Sequence, residues 1–467
     1  MNFLELNSKN LLNGLLYLFA FLLPWQTRWI FIESQIPFQQ MSLYSFDIIL
    51  IILFTIIIFS KANHKPKKQS LKNKFLIPTH LSLLVFILLV TTSILWSPDK
   101  IIALYWTSRL LLAMGLTWLI PKINFNKKIL IQVIIISIFL QAMLGVGQFL
   151  TQDDIISTKW LGATSHKAYT PGTSVVEIPS KIYETNHDEA GRFLRAYGTQ
   201  PHPNTLGGLM IVGILLTLYL YKDKEHTSTE YKKTGLVAIY SVLLTVLVFT
   251  FSRSAWLGLS IVGFIHISYL IYKKHFTRYM VIFYLTTLLI ISVPIFIYLP
   301  IVKNRLTTQP RLEQQAIQER FDGLIQAKSI INRHSILGTG VGNYTFVVQK
   351  NYPELKSYQI QPVHNIIFLI TSETGYLGII FFVLILFFTT KIYHINPRNK
   401  QRNLWLMVLV SLIITNLFDH YIWTIPSYSY LFWLTIAMLI SHKQPSFEEN
   451  QKETYNANTF YNSKLKP

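Results

Sequence analysis

The chain returns twelve times to a run of apolar residues, and this constrains its fold more than any other feature. A helix crossing a bilayer needs roughly 17–25 mostly apolar residues. Backbone in lipid must also satisfy its own hydrogen bonds. The runs lie at 11–24, 44–59, 77–95, 103–120, 129–150, 205–221, 234–251, 257–272, 280–299, 366–390, 404–418 and 428–440. Their length predicts helices in lipid. Only 14% of the 467 residues are charged, 51% are hydrophobic and the mean hydropathy is +0.37. A soluble domain carries about a quarter charged residues. The expected fold class is therefore an all-α polytopic membrane protein with about twelve transmembrane helices.

The formal net charge is +20. A basic protein often binds nucleic acid, but here the excess sits in loops between apolar runs, where it fits orientation and contact with anionic lipid. Placing the N-terminus in the cytoplasm puts 61–76, 121–128, 222–233, 273–279 and 391–403 inside, with six, three, four, three and four Lys or Arg. The short outside loops hold only Arg28, Lys100 and Arg253. That alternation predicts both termini in the cytoplasm and long hydrophilic loops at 151–204 and 300–365 on the outer face, packed as caps on the bundle. Residues 1–442 form the membrane domain and 443–467 a polar cytoplasmic tail. The chain has no cysteine, which excludes disulfides, thiolate metal sites and cysteine nucleophiles. No small-residue cleavage pattern follows the first run, so it is expected to be retained as a span.

Polar residues gather in four islands on the predicted outer face. The first, Arg195 to Asn204, includes His202 and leads into the sixth run, with Asn204 as expected N-cap and Gly207 and Gly208 permitting close approach. An Arg beside a helix N-terminus suits an anion. The second is the tight turn Ser252-Arg253-Ser254-Ala255-Trp256, where the plainer reading of Arg253 is an interfacial anchor. The third holds Glu319-Arg320-Phe321 and then Gly338-Thr339-Gly340-Val341-Gly342, which is either a phosphate-cradling loop or a simple turn. No Walker lysine follows it.

The fourth island is Pro362-Val363-His364-Asn365 and, nine residues on, Gly375-Tyr376-Leu377-Gly378. If Pro362 opens a helix, 100° per residue places His364, Gly375 and Gly378 on one face, with Gly375 roughly 16 Å deeper. Arg109, within the fourth run, is a candidate to line the pocket. Glu373 is expected to pair with a neighbouring helix, and Asp47 and Asp419 lie near outer helix ends. Intramembrane charge marks function or pairing.

The pattern of His, then Asn, nine residues, Gly, two residues and Gly resembles the signature of the O-antigen ligase and polymerase family. His364, Asn365, Gly375 and Gly378 fit it without a gap. The resemblance covers about 190–385 and reaches the first five runs only in character. It implies a bacterial inner-membrane transferase that works on the outer face without cofactor or metal. A glycan on a polyprenyl diphosphate passes to an acceptor hydroxyl, and the carrier diphosphate leaves. The implied partners are that lipid-linked donor, a lipid or glycan acceptor and membrane lipids, with no nucleic acid. By the same resemblance Arg253 and Arg320 hold the diphosphate, with Arg195 as a further candidate, and His364 sits at the acceptor. His202, Asn204, Asn365 and Arg109 are the remaining candidates for substrate binding. Guanidinium groups suit charge developing on a leaving diphosphate, and a histidine suits activation of a hydroxyl.

Ligase, polymerase and protein-directed transferase share this chemistry, and the motifs do not separate them. The cleanness of the His-Asn signature favours the ligase. A transporter or flippase would instead show repeats and broken helices with polar groups near the midplane. A structural scaffold would leave the convergence of arginines and a histidine on one face unexplained.

Overall fold

The computed structural model describes residues 3–59, 75–155, 166–170, 172–178, 191–222, 229–274, 277–307, 311–393 and 400–441. Parts of the basic loops 61–76, 222–233, 273–279 and 391–403, the adjacent acids Asp188-Glu189 and the tail 443–467 fall outside these residues. The chain opens with α1 (Phe3–Leu22), a hairpin of β1 (Arg28–Ile32) and β2 (Met41–Tyr44), and α2 (Ser45–Phe59). Next come α3 (Leu76–Thr92), α4 (Lys100–Leu119) and α5 (Lys127–Thr151). A second hairpin pairs β3 (Val175–Ile178) with β4 (Gly191–Leu194). It leads to α6 (Pro203–Tyr221), α7 (Glu230–Phe249), α8 (Arg253–Tyr272) and α9 (Arg278–Ile297). The later half contains α10 (Leu299–Leu306), α11 (Arg311–Arg333), α12 (Tyr344–Asn351), α13 (Ile366–Tyr393), α14 (Lys400–Asn416), α15 (Tyr421–Thr424) and α16 (Pro426–Ile440).

Each of the twelve apolar runs lies on a helix, but they are not equally long. Among the described residues, eight helices are long and apolar enough to cross a membrane: 76–95, 100–122, 127–151, 203–221, 230–249, 253–272, 280–297 and 366–392. The apolar parts of α1, α2 and α16 are shorter. At 1.5 Å per residue, the 15 residues of α16 reach only about 22 Å. All of them are buried, so α16 is a core post of the bundle.

Burial orders the spans. In α6, 83% of the 18-residue span window is buried, against 6% in α9. The central helix is therefore the one that follows the Arg195–Asn204 island, while α9 turns its apolar surface outward. Close packing around α6 depends on small residues, as in membrane helix pairs. A Cβ on Gly207 would lie 2.8 Å from Ala255 of α8, and one on Gly208 would lie 2.9 Å from the Tyr428 hydroxyl of α16.

Residues 300–365, expected to be a loop, are largely helical. In α11, Ala327, Ile330 and Ile331 are buried while the charged residues mostly face out, the pattern of an amphipathic helix lying on a bundle. Side-chain hydrogen bonds Gln315–Glu319 (2.9 Å) and Gln318–Asp322 (2.8 Å) at i,i+4 support it.

The expected start of the tenth span is also displaced. Pro362 and His364 precede α13, which opens at Ile366, because the Asn365 side chain caps it by accepting from Ile367 and Phe368 N–H at 3.0 and 3.2 Å. The helix is then broken at Gly375 (φ 68°, ψ −175°), a backbone region open essentially to glycine alone. One continuous helical face from His364 to Gly378 therefore does not exist. The break receives the turn 338–344. Thr339 and Gly340 N–H donate to the Ser372 and Glu373 carbonyls at 2.9 and 2.8 Å, and Tyr376 N–H donates to the Ser335 carbonyl at 2.8 Å. Gly338 (φ 68°) lies so close that a Cβ would overlap the Glu373 backbone.

Gly375→Ala should therefore cost at least about 2 kcal/mol, combining backbone strain with overlap on the Ile336 carbonyl. Gly235→Ala, in open space within α7, should be neutral or stabilising by up to about 1 kcal/mol. Thermal unfolding of the detergent-purified variants tests the contrast, and equal midpoints would refute the seam.

Candidate functional site

The turn between α7 and α8 organises the arginines. Two consecutive carbonyls there accept from two buried guanidinium groups: Thr250 from Arg195 Nε at 2.7 Å, and Phe251 from Arg305 Nε at 3.0 Å. Arg253 opens α8 beside them. Its Nη2 lies 3.0 Å from Glu313 Oε2, and its Nη1 donates to the Arg305 carbonyl at 3.3 Å. Arg305 also pairs with Glu313. Arg320, seven residues beyond Glu313 on α11, lies in the same electrostatic neighbourhood and has no hydrogen-bond or ion-pair partner among the described residues. Burial, with the charges of Arg253 and Arg320, pulls Arg305 below the ordinary arginine range against the opposing effect of Glu313. Arg253 and Arg305 thus share one buried carboxylate, and Arg320 adds to the positive excess.

Arg195 is placed differently from the sequence expectation. It is 1% exposed and spends its guanidinium on protein, donating to Thr250 O, to Ser174 Oγ at 2.6 Å and to Asn204 Oδ1 at 2.7 Å. Asn204 in turn is not the N-cap. His202 fills that position, accepting from Asn204 N–H through Nδ1 at 3.1 Å, with Pro203 as the first helical residue. The Asn204 side chain is thereby free to reach across the bundle, and its Nδ2 donates to Asp419 Oδ2 at 3.2 Å.

Asp419, between α14 and α15, is fully buried and joins the islands. Its Oδ1 lies 3.1 Å from His364 Nδ1 and accepts from the His420 N–H at 3.3 Å, while its Oδ2 also accepts from the Tyr421 hydroxyl. Burial raises this carboxyl, but its interaction and hydrogen bond with His364 more than offset it. Asp419 therefore stays below the ordinary carboxylate range and is ionised. A carboxylate can only accept, so His364 Nδ1 carries the proton. Nε2 has no partner among the described residues, on a side chain that is 24% exposed. This is the orientation logic of an acid–imidazole pair in a general base.

The other candidates divide. Asn365 is used at both ends, capping α13 and donating to the Leu417 carbonyl at 2.9 Å. Arg109 lies elsewhere on α4, paired with Asp47 at 2.9 Å and donating to the Ser42 carbonyl at 3.0 Å. The amides of Gly338 to Tyr344 are spent on protein: Gly342 and Tyr344 N–H reach the Glu373 carboxylate at 2.8 and 3.3 Å, and Trp423 Nε1 joins them at 2.7 Å. Glu373 thus pairs as expected, and the glycine turn holds α13 in place of a phosphate. Among the described residues, His364, Asp419 and His420 are the group whose ligand atoms lie close enough, within 4.8 Å, to hold a metal ion. Binding one there would take His364 from its hydrogen bond to Asp419, and His420 Nδ1 is already engaged by Thr424 Oγ1 at 2.6 Å.

Sequence reasoning missed Asp419 as a site residue, together with Arg305, Glu313 and His420. Asp419-His420, between two apolar runs, was the one available signal.

Burial lowers His420 to about 3 and His166 to about 4, so both are neutral in the folded state. An unfolded histidine titrates near 6.5, so the unfolded chain binds more protons below that pH. Stability should then fall as pH drops from about 6.5 toward 4, by up to about 1.4 kcal/mol per pH unit for each histidine. Asp419, depressed below its unfolded value, adds its own loss only below about 4. Melting curves between pH 7 and 5 should be flatter for His420→Gln, and an unchanged slope would contradict this assignment.

No curated protein matches the chain. Residues 238–383, which run from α7 into α13 and include Arg253, Arg320, His364 and the glycine kink, match the family model described as O-antigen ligase. Through this segment, the chain is similar to the O-antigen ligase family.

Proposed function

We propose that this protein transfers a glycan from a polyprenyl diphosphate to an acceptor hydroxyl at the outer face of the bacterial cytoplasmic membrane, as an O-antigen ligase-like transferase with both termini in the cytoplasm. The observation that carries the reading is the His364–Asp419 pair, its Nε2 open, linked through Asn204 and Arg195 to a group of arginines with excess positive charge. His364 Nε2 takes the acceptor's hydroxyl proton as the hydroxyl oxygen bonds to the anomeric carbon of the donor. The bond from that carbon to the diphosphate oxygen breaks, and the carrier diphosphate leaves with the electron pair. Arg253, Arg305 and Arg320 are poised to stabilise the charge that develops there. Asp419 keeps His364 in the tautomer that can accept, and Arg195 with His202 and Asn204 holds that carboxylate in place.

Proteoliposomes loaded with a polyprenyl-diphosphate glycan and acceptor provide the test, read as release of carrier diphosphate. His364→Ala should lower the rate by about 10²–10⁴-fold. Arg253→Ala and Arg320→Ala should each lower it by about 10²–10³-fold. Near-normal rates in folded protein for all three would contradict the mechanism. A single-step shift of an acceptor lipid marks a ligase, and a ladder of lengths marks a polymerase.

A further inference from the structure

Arg109, buried and paired with Asp47, takes no part in the chemistry above, yet it lines a cleft beside the histidines. The walls include the aromatic rings of Phe38, Trp106, Tyr344, Trp423 and Tyr430, and carry two buried groups of opposite charge type, Arg109 and Glu373. Arg109 is 7% exposed, its Nη1 and Nη2 are held by Asp47 and Ser42, and its Nε has no hydrogen-bond partner among the described residues. A buried guanidinium donor left unpaired calls for an explanation.

The cleft is connected to the proposed base. Thr424 lines it and bonds His420 Nδ1 at 2.6 Å. Phe38 lines it with its ring centroid 5.4 Å from that of His420, and the His420 ring lies 5.2 Å from the ring of His364. Pro362, two residues before His364, forms part of the wall. Arg195, Arg253, Arg305 and Arg320 do not line it. The cleft beside the histidines is thus lined by none of the arginines of the positive group, and its own Arg109 is already paired with Asp47.

We propose that this cleft is the acceptor-sugar subsite and takes one uncharged pyranose ring, an inference that rests on the transferase reading above. A pyranose offers an apolar C–H face for the aromatic walls and an edge of hydroxyls, one of which accepts from Arg109 Nε. A polyprenyl tail would leave Arg109 Nε unsatisfied, and a diphosphate would face the Glu373 carboxyl. Seating the ring here brings the acceptor hydroxyl to the His364 side of the cleft, opposite the leaving group.

The test is saturation-transfer NMR on the full-length protein in lipid nanodiscs, with methyl β-glycosides of glucose, galactose and N-acetylglucosamine as probes. Saturation from the protein's aromatic protons should reach the ring C–H protons of at least one glycoside. It should fall at least fivefold in Ser429→Leu, which fills the cleft from α16, and in Trp106→Ala, with Trp106→Phe retaining most of the signal. Melting curves identify any variant that fails to fold, and Ser429→Leu and Trp106→Ala report independently. No saturation of any of the three probes in wild type, or equal saturation in folded Ser429→Leu, overturns the subsite. Carrier diphosphate release by wild type is measured on the same preparations. Release with no glycoside binding at the cleft overturns only the subsite. Glycoside binding lost in the variants, with no release from any donor, overturns the transferase reading and leaves a sugar-binding cleft.

Discussion

A carboxylate removed from water must be surrounded by donors or its burial costs several kcal/mol, and Asp419 meets that demand with groups from widely separated parts of the chain. Asn204 comes from the start of the central helix α6, His364 from the approach to α13, and the His420 amide and Tyr421 hydroxyl from the segment before α16. None of these elements can shift without leaving the charge short of a partner. The same requirement that ties these elements together also holds the His364 ring through Nδ1. Structural and chemical demands thus coincide at one residue.

A second buried carboxylate supports the first at a distance. Glu373 takes up the amides of the turn 338–344 and the Trp423 indole, and the turn locks onto the break at Gly375. That seam sets where α13 begins and how the stretch 362–365 enters it, and so where His364 stands relative to Asp419. It also ties α15 to α13, on the side facing the aromatic cleft. The glycines of the sequence motif therefore act through backbone geometry, and the histidine meets Asp419 through its ring. Arg195 belongs with the supports: its charge is spent on Asn204, Ser174 and a carbonyl, while Arg253 and Arg320 keep more of theirs available.

The helices were legible because apolar runs of bilayer length leave the backbone few alternatives, and the spaced signature of His364, Asn365, Gly375 and Gly378 lies within the segment that matches the O-antigen ligase family model. What the sequence concealed was tertiary. Asp419 reads only as an acid near the end of an apolar run, and its partners lie 55 and 215 positions away. Arg305 and Glu313 stood in a segment expected to be loop, where an amphipathic helix at the surface carries too many charges to resemble a span. Asn204 looked like the better cap by propensity, but the His202 ring takes that place and releases Asn204 for Asp419. The glycine turn resembled a phosphate cradle because its amides can serve either an anion or a neighbouring backbone, and only the packed structure assigns them to Glu373 and the kink of α13.

The central claim is that Asp419 acts through His364, and a double-mutant cycle on single-turnover release of carrier diphosphate tests it most directly. Wild type, His364→Ala, Asp419→Asn and the double variant are compared in the same proteoliposomes, with melting curves to confirm folding. Residues acting as one unit lose their effect together. The double variant should therefore be no slower than His364→Ala alone. If the two losses instead multiply, Asp419 serves the fold or the substrate independently of the histidine, and the acid–imidazole pair is not the catalytic unit.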